Sequence, residues 1–418
     1  MHVVVAGQGY VGLPLAVRAA EAGHRVVGYD VDPDRVQRIA TGHSYVDDVA
    51  SARLRAALDS GAYSVTSDAA ALAGFDIAVI TVPTPLRDGV PDVTYIESCA
   101  DTLGAHLRPG ATVVLESTTY PGTTEELMAP TLEKASGLTA GADFHVGFSP
   151  ERIDPGNKEW PFEKTPKVVS GIDVASLDVV RDFYDGLVET TVPVSGTRVA
   201  ELAKLIENIF RHVNIALINE IAMLARPLGV NVWEAIDAAA SKPFGFMRFT
   251  PGPGVGGHCL PIDPSFLSWK VERALGVPFR FVELANDVNN HMPDYVVRRL
   301  TEAFNTRRMA VRGSRVLLLG LAYKADISDA RESPSARVAE LLLDLGAAVR
   351  GADPHLVDDT RTDTRLIRVE ATPEEIAASD AVVLLADHAQ FDYETIIEYA
   401  PYVLDCRNRL SGVNVDVL

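Results

Sequence analysis

The hydrophobic positions of the first part of the chain follow the two-residue and 3.6-residue periods of an alternating strand and helix pattern. Up to about residue 194, short β-branched runs alternate with amphipathic stretches. Five of these runs predict strands: HVVVAG, HRVVGYD, FDIAVITVP, ATVVLES and FHVGFSP. Strands that alternate with helices predict a parallel, doubly wound sheet.

The strand pattern disappears between about residues 195 and 305 and then returns. Apolar residues at helical spacing from Val199 to Arg226 predict one long helix that ends near Pro227 and Gly229. From Arg315 onward a second block predicts four strands, VLLLG, AAVRGAD, AVVLLA and YVLDC, with a helix over 336–345. The predicted fold class is α/β, with two doubly wound Rossmann-like domains (1–194 and 313–418) joined by a central all-helical domain (195–312).

Charge and cysteine usage narrow the function classes. The chain has 38 Lys+Arg against 57 Asp+Glu, a formal charge of −19, which repels a nucleic-acid backbone. We therefore expect no nucleic-acid partner. There is no basic leader and no apolar stretch of the roughly 18 residues that a bilayer requires, so we expect a soluble cytoplasmic protein without a membrane partner. Three widely spaced cysteines predict neither a disulfide framework nor a metal site, and we expect Cys99 and Cys406 to be buried apolar residues.

A glycine pattern follows the first predicted strand. In GQGYVG, the first glycine permits a tight turn, the second admits a pyrophosphate and the third lets helix and strand pack closely. Asp30 stands 23 residues after Gly7 at the end of the next strand, where a carboxylate binds a ribose hydroxyl and repels a 2′-phosphate. The pattern predicts an NAD site, although Arg35 weakens the preference over NADP. The predicted cofactor-binding residues here are Gly7, Gly9, Tyr10, Val11, Gly12, Asp30 and Arg35.

Two further strand ends carry threonines. TVPTP and ESTTYPGTT should emerge at the carboxyl edge of the sheet, where open α/β folds bind ligands. Thr84 and Thr118 could contact the nicotinamide side of the cofactor. The alternative is that proline and threonine only form loops here.

The segment TPGPGVGGHCLPID carries the candidate chemistry. Glycines let main-chain amides approach a substrate, and Cys259 at the end of the segment is placed as a nucleophile, with Asp263 four residues later. We expect a structural or orienting role for His258. On the predicted long helix, Lys204 and Asn208 lie one turn apart. They either form a solvated stripe or face a cleft, and the apolar surroundings favour the cleft.

With these motifs, and with FSPERIDPGN, AELAKLIENIF and LAYKADISDARESP in the same order, the chain resembles the nucleotide-sugar 6-dehydrogenases from end to end. That family includes UDP-glucose, UDP-N-acetylhexosamine and GDP-mannose dehydrogenases. The resemblance implies an NAD domain, a dimer-forming helical domain and a sugar-nucleotide domain, in a homodimer or higher oligomer without a metal. It also implies that the product is a uronic acid used in polysaccharide biosynthesis.

The resemblance implies oxidation of a primary alcohol at C6 to a carboxylate with two NAD⁺ consumed. Cys259 resembles the nucleophile, which forms a thiohemiacetal and then a thioester that water hydrolyses. Lys204 and Asn208 match groups that stabilise oxygen charge at C6, and Asp263 matches a carboxylate that works with Lys204 and water. Thr118 and Glu151 match groups that position the hydrolytic water.

Further residues resemble the ligand contacts of the family. Lys324 resembles a substrate-phosphate contact, Arg331 a partner of the cofactor and Arg407 a nucleotide or ribose contact. With the single Gly320 in its first turn, the second block is predicted to be a nucleotide cradle and not a second NAD site. The alternative for Lys324 and Arg331 is a solvated charged loop. The implied substrate-binding residues are Glu151, Lys204, Asn208, Arg248, Phe249, Gly256, Lys324 and Arg407.

Two departures bear on the sugar. Pro243 stands at the position where an arginine is expected in the glucose branch, and His258 precedes the thiol. Together these two features resemble the N-acetylhexosamine branch more closely. Arg248 could supply the missing guanidinium, so glucose stays open, as does uracil or thymine as the base.

Two other functions compete. A β-hydroxyacid dehydrogenase also carries a Lys-x-x-x-Asn, but it needs no thiol and leaves the chain beyond Gly313 unexplained; it would consume one NAD per substrate. A non-catalytic sensor of NAD or sugar nucleotides would bind without turnover, and it gives no reason for a nucleophile, an ammonium and a carboxylate together.

Overall fold

The computed structural model describes residues 1–46, 48–87, 89–154, 157, 159–257, 259–356 and 365–418, except for the side chain of Cys259. The chain divides into two compact units. The first contains Met1–Glu207 and Ser265–Val277, and the second contains Asn208–Pro264 and Pro278–Leu418.

An eight-stranded sheet forms the centre of the first unit, and a two-stranded hairpin lies beside the fourth strand in sequence. In chain order the strands are β1 (His2–Ala6), β2 (Arg25–Tyr29), β3 (Tyr63–Thr66), β4 (Ile77–Ile80), β5 (Leu86–Arg87), β6 (Val90–Pro91), β7 (Thr112–Leu115), β8 (His145–Phe148), β9 (Lys167–Gly171) and β10 (Thr191–Pro193). The sheet order is β10-β9-β8-β7-β4-β1-β2-β3. Since β7, β4, β1 and β2 pair in parallel, their carboxyl ends lie at one edge of the sheet.

Helices connect these strands because apolar residues recur on the face that each turns to the sheet. They are α1 (Gly12–Glu21), α2 (Pro33–Ala40), α3 (Ser51–Asp59), α4 (Thr94–Gly104), α5 (Ala129–Ser136) and α6 (Val174–Asp185), with a 3₁₀ turn at Ala69–Leu72 and a π-helical turn at Thr124–Met128. The carboxylate of Asp32 caps α2 by accepting the N–H groups of Asp34 and Arg35. Two apolar clusters, one on each face of the sheet, form the core.

Further helices follow the first sheet along the chain. They are α7 (Thr197–Ala225), α8 (Val232–Ala240), α9 (Cys259–Leu275) and α10 (Arg280–Thr306). The 29-residue α7 confirms the predicted long helix, and it ends two residues before Pro227 because the residue before a proline disfavours helical geometry. No helix in the described part of the chain is both long and apolar enough to cross a bilayer.

A second sheet, of six strands, forms the centre of the second unit. Its strands are β11 (Arg315–Leu319), β12 (Ala348–Ala352), β13 (Ile367–Arg368), β14 (Ala381–Leu384), β15 (Val403–Asp405) and β16 (Val415–Val417). They are all parallel, in the order β13-β12-β11-β14-β15-β16. The helices of this region are α11 (Pro334–Asp344), α12 (Pro373–Ala377) and α13 (Tyr393–Tyr399).

The α/β fold class with two Rossmann-like sheets and a helical centre is confirmed, but the first sheet is not wholly parallel. β9 pairs antiparallel with β8. A parallel neighbour needs a crossover, usually a helix, and the described residues between Phe148 and Lys167 contain none, so the chain returns directly. The division at 194 and 312 stays a prediction.

Candidate functional site

The glycine loop after β1 has the geometry of an anion-binding turn. Gly7 has φ +94°, and a Cβ there would lie 2.8 Å from the backbone oxygen of Thr81. A Cβ on Gly12 would collide with the carbonyl of Gly7, so α1 starts close against β1. Gly9, in contrast, has open space where its Cβ would be. The half-buried Tyr10 and Val11 complete the turn, whose N–H groups at the start of α1 suit a pyrophosphate.

Asp30 lies at the end of β2 and is only 4% exposed. Its Oδ2 accepts the N–H of Gln8 at 2.7 Å and lies 2.9 Å from Nη1 of Arg35. The carboxylate therefore ties β2 to the glycine loop, and Arg35 compensates part of its charge. These residues fit the adenosine side of NAD, because backbone amides at a helix start can bind phosphates and a carboxylate at the next strand end can accept a ribose hydroxyl.

The loops after β4 and β7 lie at the same edge of the sheet and are joined by a hydrogen bond. Oγ1 of the buried Thr84 donates to the backbone oxygen of Thr118 at 2.8 Å. Thr81 Oγ1 donates to the backbone oxygen of Gly7 at 2.7 Å, so the three loops at this edge of the sheet are linked by hydrogen bonds.

Glu151 follows β8 and is buried, as is Lys204 on α7. Oε1 of Glu151 accepts the N–H groups of Arg152 and Ile153, and Oε2 lies 3.3 Å from Nζ of Lys167. Burial alone would raise the pKa of Glu151. The charge of Lys167, a side-chain hydrogen bond with Glu116, the backbone hydrogen bond and the charge of Lys204 together lower it below its ordinary value. Glu151 is therefore a carboxylate at neutral pH.

In the second unit, the amide of Asn208 donates to Oδ2 of Asp263 at 2.6 Å, and both residues are buried. Asp263 lies one turn after Cys259, the residue at which α9 begins. A helix N-terminus stabilises negative charge in its first turn, which suits a thiolate at the position where α9 begins. His258 and the side chain of Cys259 lie outside the described part of the chain.

The glycines before Cys259 are required by close approach to other parts of the protein. A Cβ on Gly257 would lie 2.8 Å from Cζ of Tyr323, and one on Gly252 would lie 2.9 Å from Nη1 of Arg407. Gly257 donates its N–H to the backbone oxygen of Arg331 at 2.9 Å. The sequence predicted that this backbone approaches a ligand, and the described contacts are to an aromatic ring and a guanidinium.

The remaining predicted ligand residues also lie in the second unit. Gly256 is buried against Tyr323 and the backbone of Glu332, and Lys324 is half-buried. Nε of Arg407 donates to the backbone oxygen of Leu385 at 2.6 Å, and burial lowers the pKa of this guanidinium.

Three other predicted residues have protein partners. Arg331 pairs with Asp329 at 2.6 Å. Arg248 is exposed and pairs with Asp237 of α8 at 2.8 Å. Phe249 packs edge to face on Phe210, with ring centroids 5.8 Å apart.

Among the described residues, one group has side chains of the metal-ligand type: Asp326, His355 and His388, whose candidate atoms lie within 4.8 Å of one another. Nδ1 of His388 accepts the N–H of Asp326 at 2.9 Å, and its Nε2 lies 2.9 Å from Oδ2 of Asp353. Both ring nitrogens are thus already hydrogen-bonded, so the group is a hydrogen-bonding network.

Sequence reasoning missed several residues around the site. Lys167 is the first residue of β9, and a lysine at the start of a strand is ordinarily exposed, so there was no reason in the sequence to expect it in the core. Glu116 stood inside a quoted motif without a role, and Asn219 and Tyr323 carried no sequence signal. The expectation that Cys99 and Cys406 are buried is confirmed, and burial raises the pKa of each thiol to about 12.

Comparison with known proteins identifies the family. Three models of the UDP-glucose/GDP-mannose dehydrogenase family match: its NAD binding domain at residues 1–188, its central domain at 198–291 and its UDP binding domain at 317–412. UDP-N-acetyl-D-mannosamine dehydrogenase of Pyrococcus horikoshii is 35% identical over 94% of this chain and 90% of its own. UDP-N-acetyl-D-glucosamine 6-dehydrogenase of Pseudomonas aeruginosa is 36% identical over 94% and 91%.

The fold agrees with a solved relative over its whole length. The structure of the UDP-D-ManNAc dehydrogenase from Pyrococcus horikoshii superimposes with a TM-score of 0.90 at 33% identity, covering 100% of this chain and 98% of that one. The chain belongs to the UDP-glucose/GDP-mannose dehydrogenase family and is an NAD-dependent oxidoreductase.

Proposed function

We propose that the protein oxidises C6 of a UDP-N-acetylhexosamine, with N-acetylglucosamine or N-acetylmannosamine as the sugar, from a primary alcohol to a carboxylate. The observation that carries the proposal is the start of α9. The helix begins at Cys259, and one turn later Asp263 accepts the amide of Asn208 at 2.6 Å. A thiol at a helix start, followed by a fixed carboxylate and amide, suits covalent capture of an aldehyde.

Cys259 has the central role in the proposed reaction. Its thiolate adds to the aldehyde carbon, a C–S bond forms, and the carbonyl electron pair moves to oxygen as an alkoxide. Departure of the second hydride from C6 re-forms the carbonyl as a thioester. Water then adds at that carbon, and the C–S bond breaks with its electron pair returning to sulfur. Bound NAD⁺ supplies the acceptor for the hydride at each of the two oxidation steps.

Polar groups on α7 and α9 stabilise the oxygen charge in this scheme. The Lys204 ammonium and the Asn208 amide are one turn apart on α7, and both are buried. Donors held in a site shielded from water stabilise an alkoxide more strongly than solvent does. Asp263, held by Asn208, accepts protons as the alcohol and the water lose them.

We assign Glu151 and Thr118 to the hydrolytic water. The support for Glu151 is its buried and ionised carboxylate after β8, and the support for Thr118 is its place at the neighbouring strand end. Lys324 and Arg407 are assigned to the phosphate and ribose of the substrate, and Arg331 to the cofactor.

The N-acetylhexosamine assignment is supported by the names of both relatives and by Pro243, which replaces the arginine of the glucose branch. Glucose and a thymine base stay open as alternatives. A panel of UDP-GlcNAc, UDP-ManNAc, UDP-glucose and dTDP-glucose tests the substrate. We expect turnover on an N-acetylhexosamine, and a preference for UDP-glucose would contradict the assignment.

Cys259→Ser tests the covalent step, with Cys99→Ala as the matched control at a buried cysteine of α4. We expect two NADH per sugar in the unmodified protein and in the control. We expect no acid and no thioester mass adduct from Cys259→Ser, with NAD binding retained. Acid formation by Cys259→Ser at the unmodified rate would overturn the mechanism. One NADH per substrate on a β-hydroxyacid, or binding without turnover, would favour the other two functions.

We also propose that the protein is a homodimer that uses one face of α7. That helix exposes apolar side chains at helical spacing, namely Val199, Leu202, Ile206, Phe210, Leu217, Ile221 and Leu224. A row of exposed apolar side chains along one helix is typical of an interface between protein chains. Ile206→Glu with Leu217→Glu should reduce the mass measured by light scattering to that of one chain, and an unchanged mass would contradict this interface.

A further inference from the structure

We propose that Lys167 is a positioning residue for Glu151: its ammonium, shared with the carboxyl group of Glu116 inside the first unit, keeps Glu151 charged and directed. The inference rests on the role proposed above for Glu151 in the oxidation. It adds two residues, Lys167 and Glu116, to which the reaction scheme gives no part.

The geometry is that of a buried charge cluster. Glu116 is 0% exposed, Lys167 3% and Glu151 8%. Nζ of Lys167 pairs with Oε1 of Glu116 and lies 3.3 Å from Oε2 of Glu151. Oε2 of Glu116 accepts the hydroxyl of Tyr184 at 2.8 Å. One ammonium therefore serves two carboxyl groups, and each of those groups has a second partner on its other oxygen.

Burying three ionisable groups is costly, since each loses its hydration and a hydrophobic replacement of the same volume is often as stable. Lys167 also lies over the aromatic rings of Phe162 and Tyr184, at 5.5 and 5.3 Å from their centroids, which hold the ammonium in place. An arrangement this specific at a carboxylate assigned to catalysis favours a role in setting the charge of that carboxylate.

The groups that act on Glu151 come from three elements besides its own segment. Lys167 at the start of β9 and Lys204 on α7 act through their charges, and Glu116 after β7 acts through a side-chain hydrogen bond that also lowers the pKa of Glu151. The neighbouring Arg152 does not serve Glu151 with its side chain, because its guanidinium pairs with Glu207 at 2.8 Å and donates to the backbone oxygen of Pro166 at 2.6 Å.

The two carboxyl groups differ in the form they prefer. Burial raises the pKa of Glu116 to about 7, whereas the pKa of Glu151 is lowered despite its burial. Around neutral pH, Glu116 thus holds a proton more readily than Glu151 does. Without the ammonium of Lys167, less opposite charge would offset the desolvation of Glu151, and the pKa of Glu151 would rise.

Lys167→Met and Lys167→Arg test the inference, since methionine keeps most of the volume and arginine keeps the charge. The pH dependence of kcat and KM is measured between about pH 4 and about pH 9 with the sugar nucleotide. For Lys167→Met we expect the acidic limb of kcat to move upward by about one pH unit or more, with KM changed less than roughly threefold. We expect Lys167→Arg to return the limb to within about half a unit of the unmodified protein.

A merely structural Lys167 gives a different result. In that case Lys167→Met lowers kcat to the same extent at every pH, without moving the acidic limb, or lowers only the melting temperature. Either outcome would overturn the inference. Glu116→Gln, which mimics the protonated carboxyl group, should leave the acidic limb in place. An upward shift in Glu116→Gln as large as that in Lys167→Met would also overturn it.

An infrared titration separates this inference from the proposed function, because it needs no turnover. At about pH 5, Lys167→Met should show an additional C=O stretch of a protonated carboxyl group relative to the unmodified protein, and Glu151→Gln in the same background should remove it. If the unmodified protein fails to oxidise any sugar nucleotide but the band is found, the proposed function fails and the control of Glu151 by Lys167 stands. If the band is absent, the inference fails whatever the activity.

Discussion

Oδ1 of Asn219 accepts the backbone N–H of Gly252 at 3.0 Å, which joins α7 to the glycine segment before Cys259. The other end of the same amide donates to Oδ1 of Asn289 on α10 at 2.9 Å. Asn219 is 0% exposed and Asn289 3%. Since buried amides are stable only when their donors and acceptors are satisfied, this chain of hydrogen bonds holds the glycine segment at a fixed position on α7.

Replacing Asn219 by leucine should destabilise the protein because it removes the acceptor of the Gly252 N–H and the donor to Oδ1 of Asn289. A buried donor left without an acceptor costs about 1–3 kcal/mol, so we expect a lower free energy of unfolding in urea. Because Gly252 lies against Arg407, we also expect a higher KM for the sugar nucleotide. Asn214→Leu is the matched control, since the Asn214 amide donates only to the backbone of its own helix at 2.7 Å. Equal effects of the two substitutions would contradict the role of Asn219.

Gly257→Ala should disturb the same segment by a steric route. Gly257 has φ +83°, which costs an alanine roughly 1–2 kcal/mol, and its Cβ would meet the ring of Tyr323 at 2.8 Å. We expect a lower melting temperature and a loss of kcat, measured by calorimetry and NADH formation. Gly196→Ala, which has open space and no positive φ, should change neither. Tyr323→Ala added to Gly257→Ala should recover only the part of the stability lost to the clash, and full recovery would exclude backbone strain.

The sequence was sufficient for the nucleotide loop because its rules are local. A glycine after a buried strand and an acid at the next strand end predict a tight turn with a carboxylate beside it, and Gly7 and Asp30 have that arrangement. The second sheet repeats the arrangement without the motif: Asp353 after β12 accepts the N–H of Leu321 after β11 at 2.7 Å. No glycine motif marks Asp353, because the partners that tie it to the rest of this sheet, the N–H of Ala322 and the imidazole of His388, are 31 and 35 residues away.

The buried charges were not predictable for the same reason. Lys167 and Glu116 are 51 residues apart, and their pairing follows from the order of β7, β8 and β9 in the sheet, including the antiparallel turn back of β9. A single sequence shows which residue types are present, and long-range contacts decide which of them lose their water.

Cofactor preference should follow from the pair formed by Asp30 and Arg35. Asp30→Ser removes the carboxylate that repels a 2′-phosphate and releases the guanidinium 2.9 Å away. We expect kcat/KM for NADP⁺ relative to NAD⁺ to rise by roughly tenfold or more, as befits one charge-assisted contact. Arg35→Ala alone should leave NAD⁺ use nearly unchanged, and adding it to Asp30→Ser should abolish the gain. A gain that persists without Arg35 would show that the guanidinium does not bind the phosphate.

The free energy of unfolding of the second unit should depend on pH because of Asp353. Burial would raise the pKa of this carboxyl group, but the hydrogen bond from His388 and those from backbone N–H groups lower it to about 2. A carboxyl group whose pKa is lower in the folded state stabilises the protein above its unfolded pKa of about 4, and that stability is lost as the pH falls towards about 2. Asp353→Asn should therefore lower the free energy of unfolding by about 2 kcal/mol at neutral pH, with the difference shrinking below about pH 4. Asp237→Asn, at an exposed aspartate paired with Arg248, is the control. Its free energy of unfolding should show the same pH dependence as that of the unmodified protein. A deficit of Asp353→Asn that stayed constant down to about pH 2 would mean that shape, and not the charge of Asp353, carries the stabilisation.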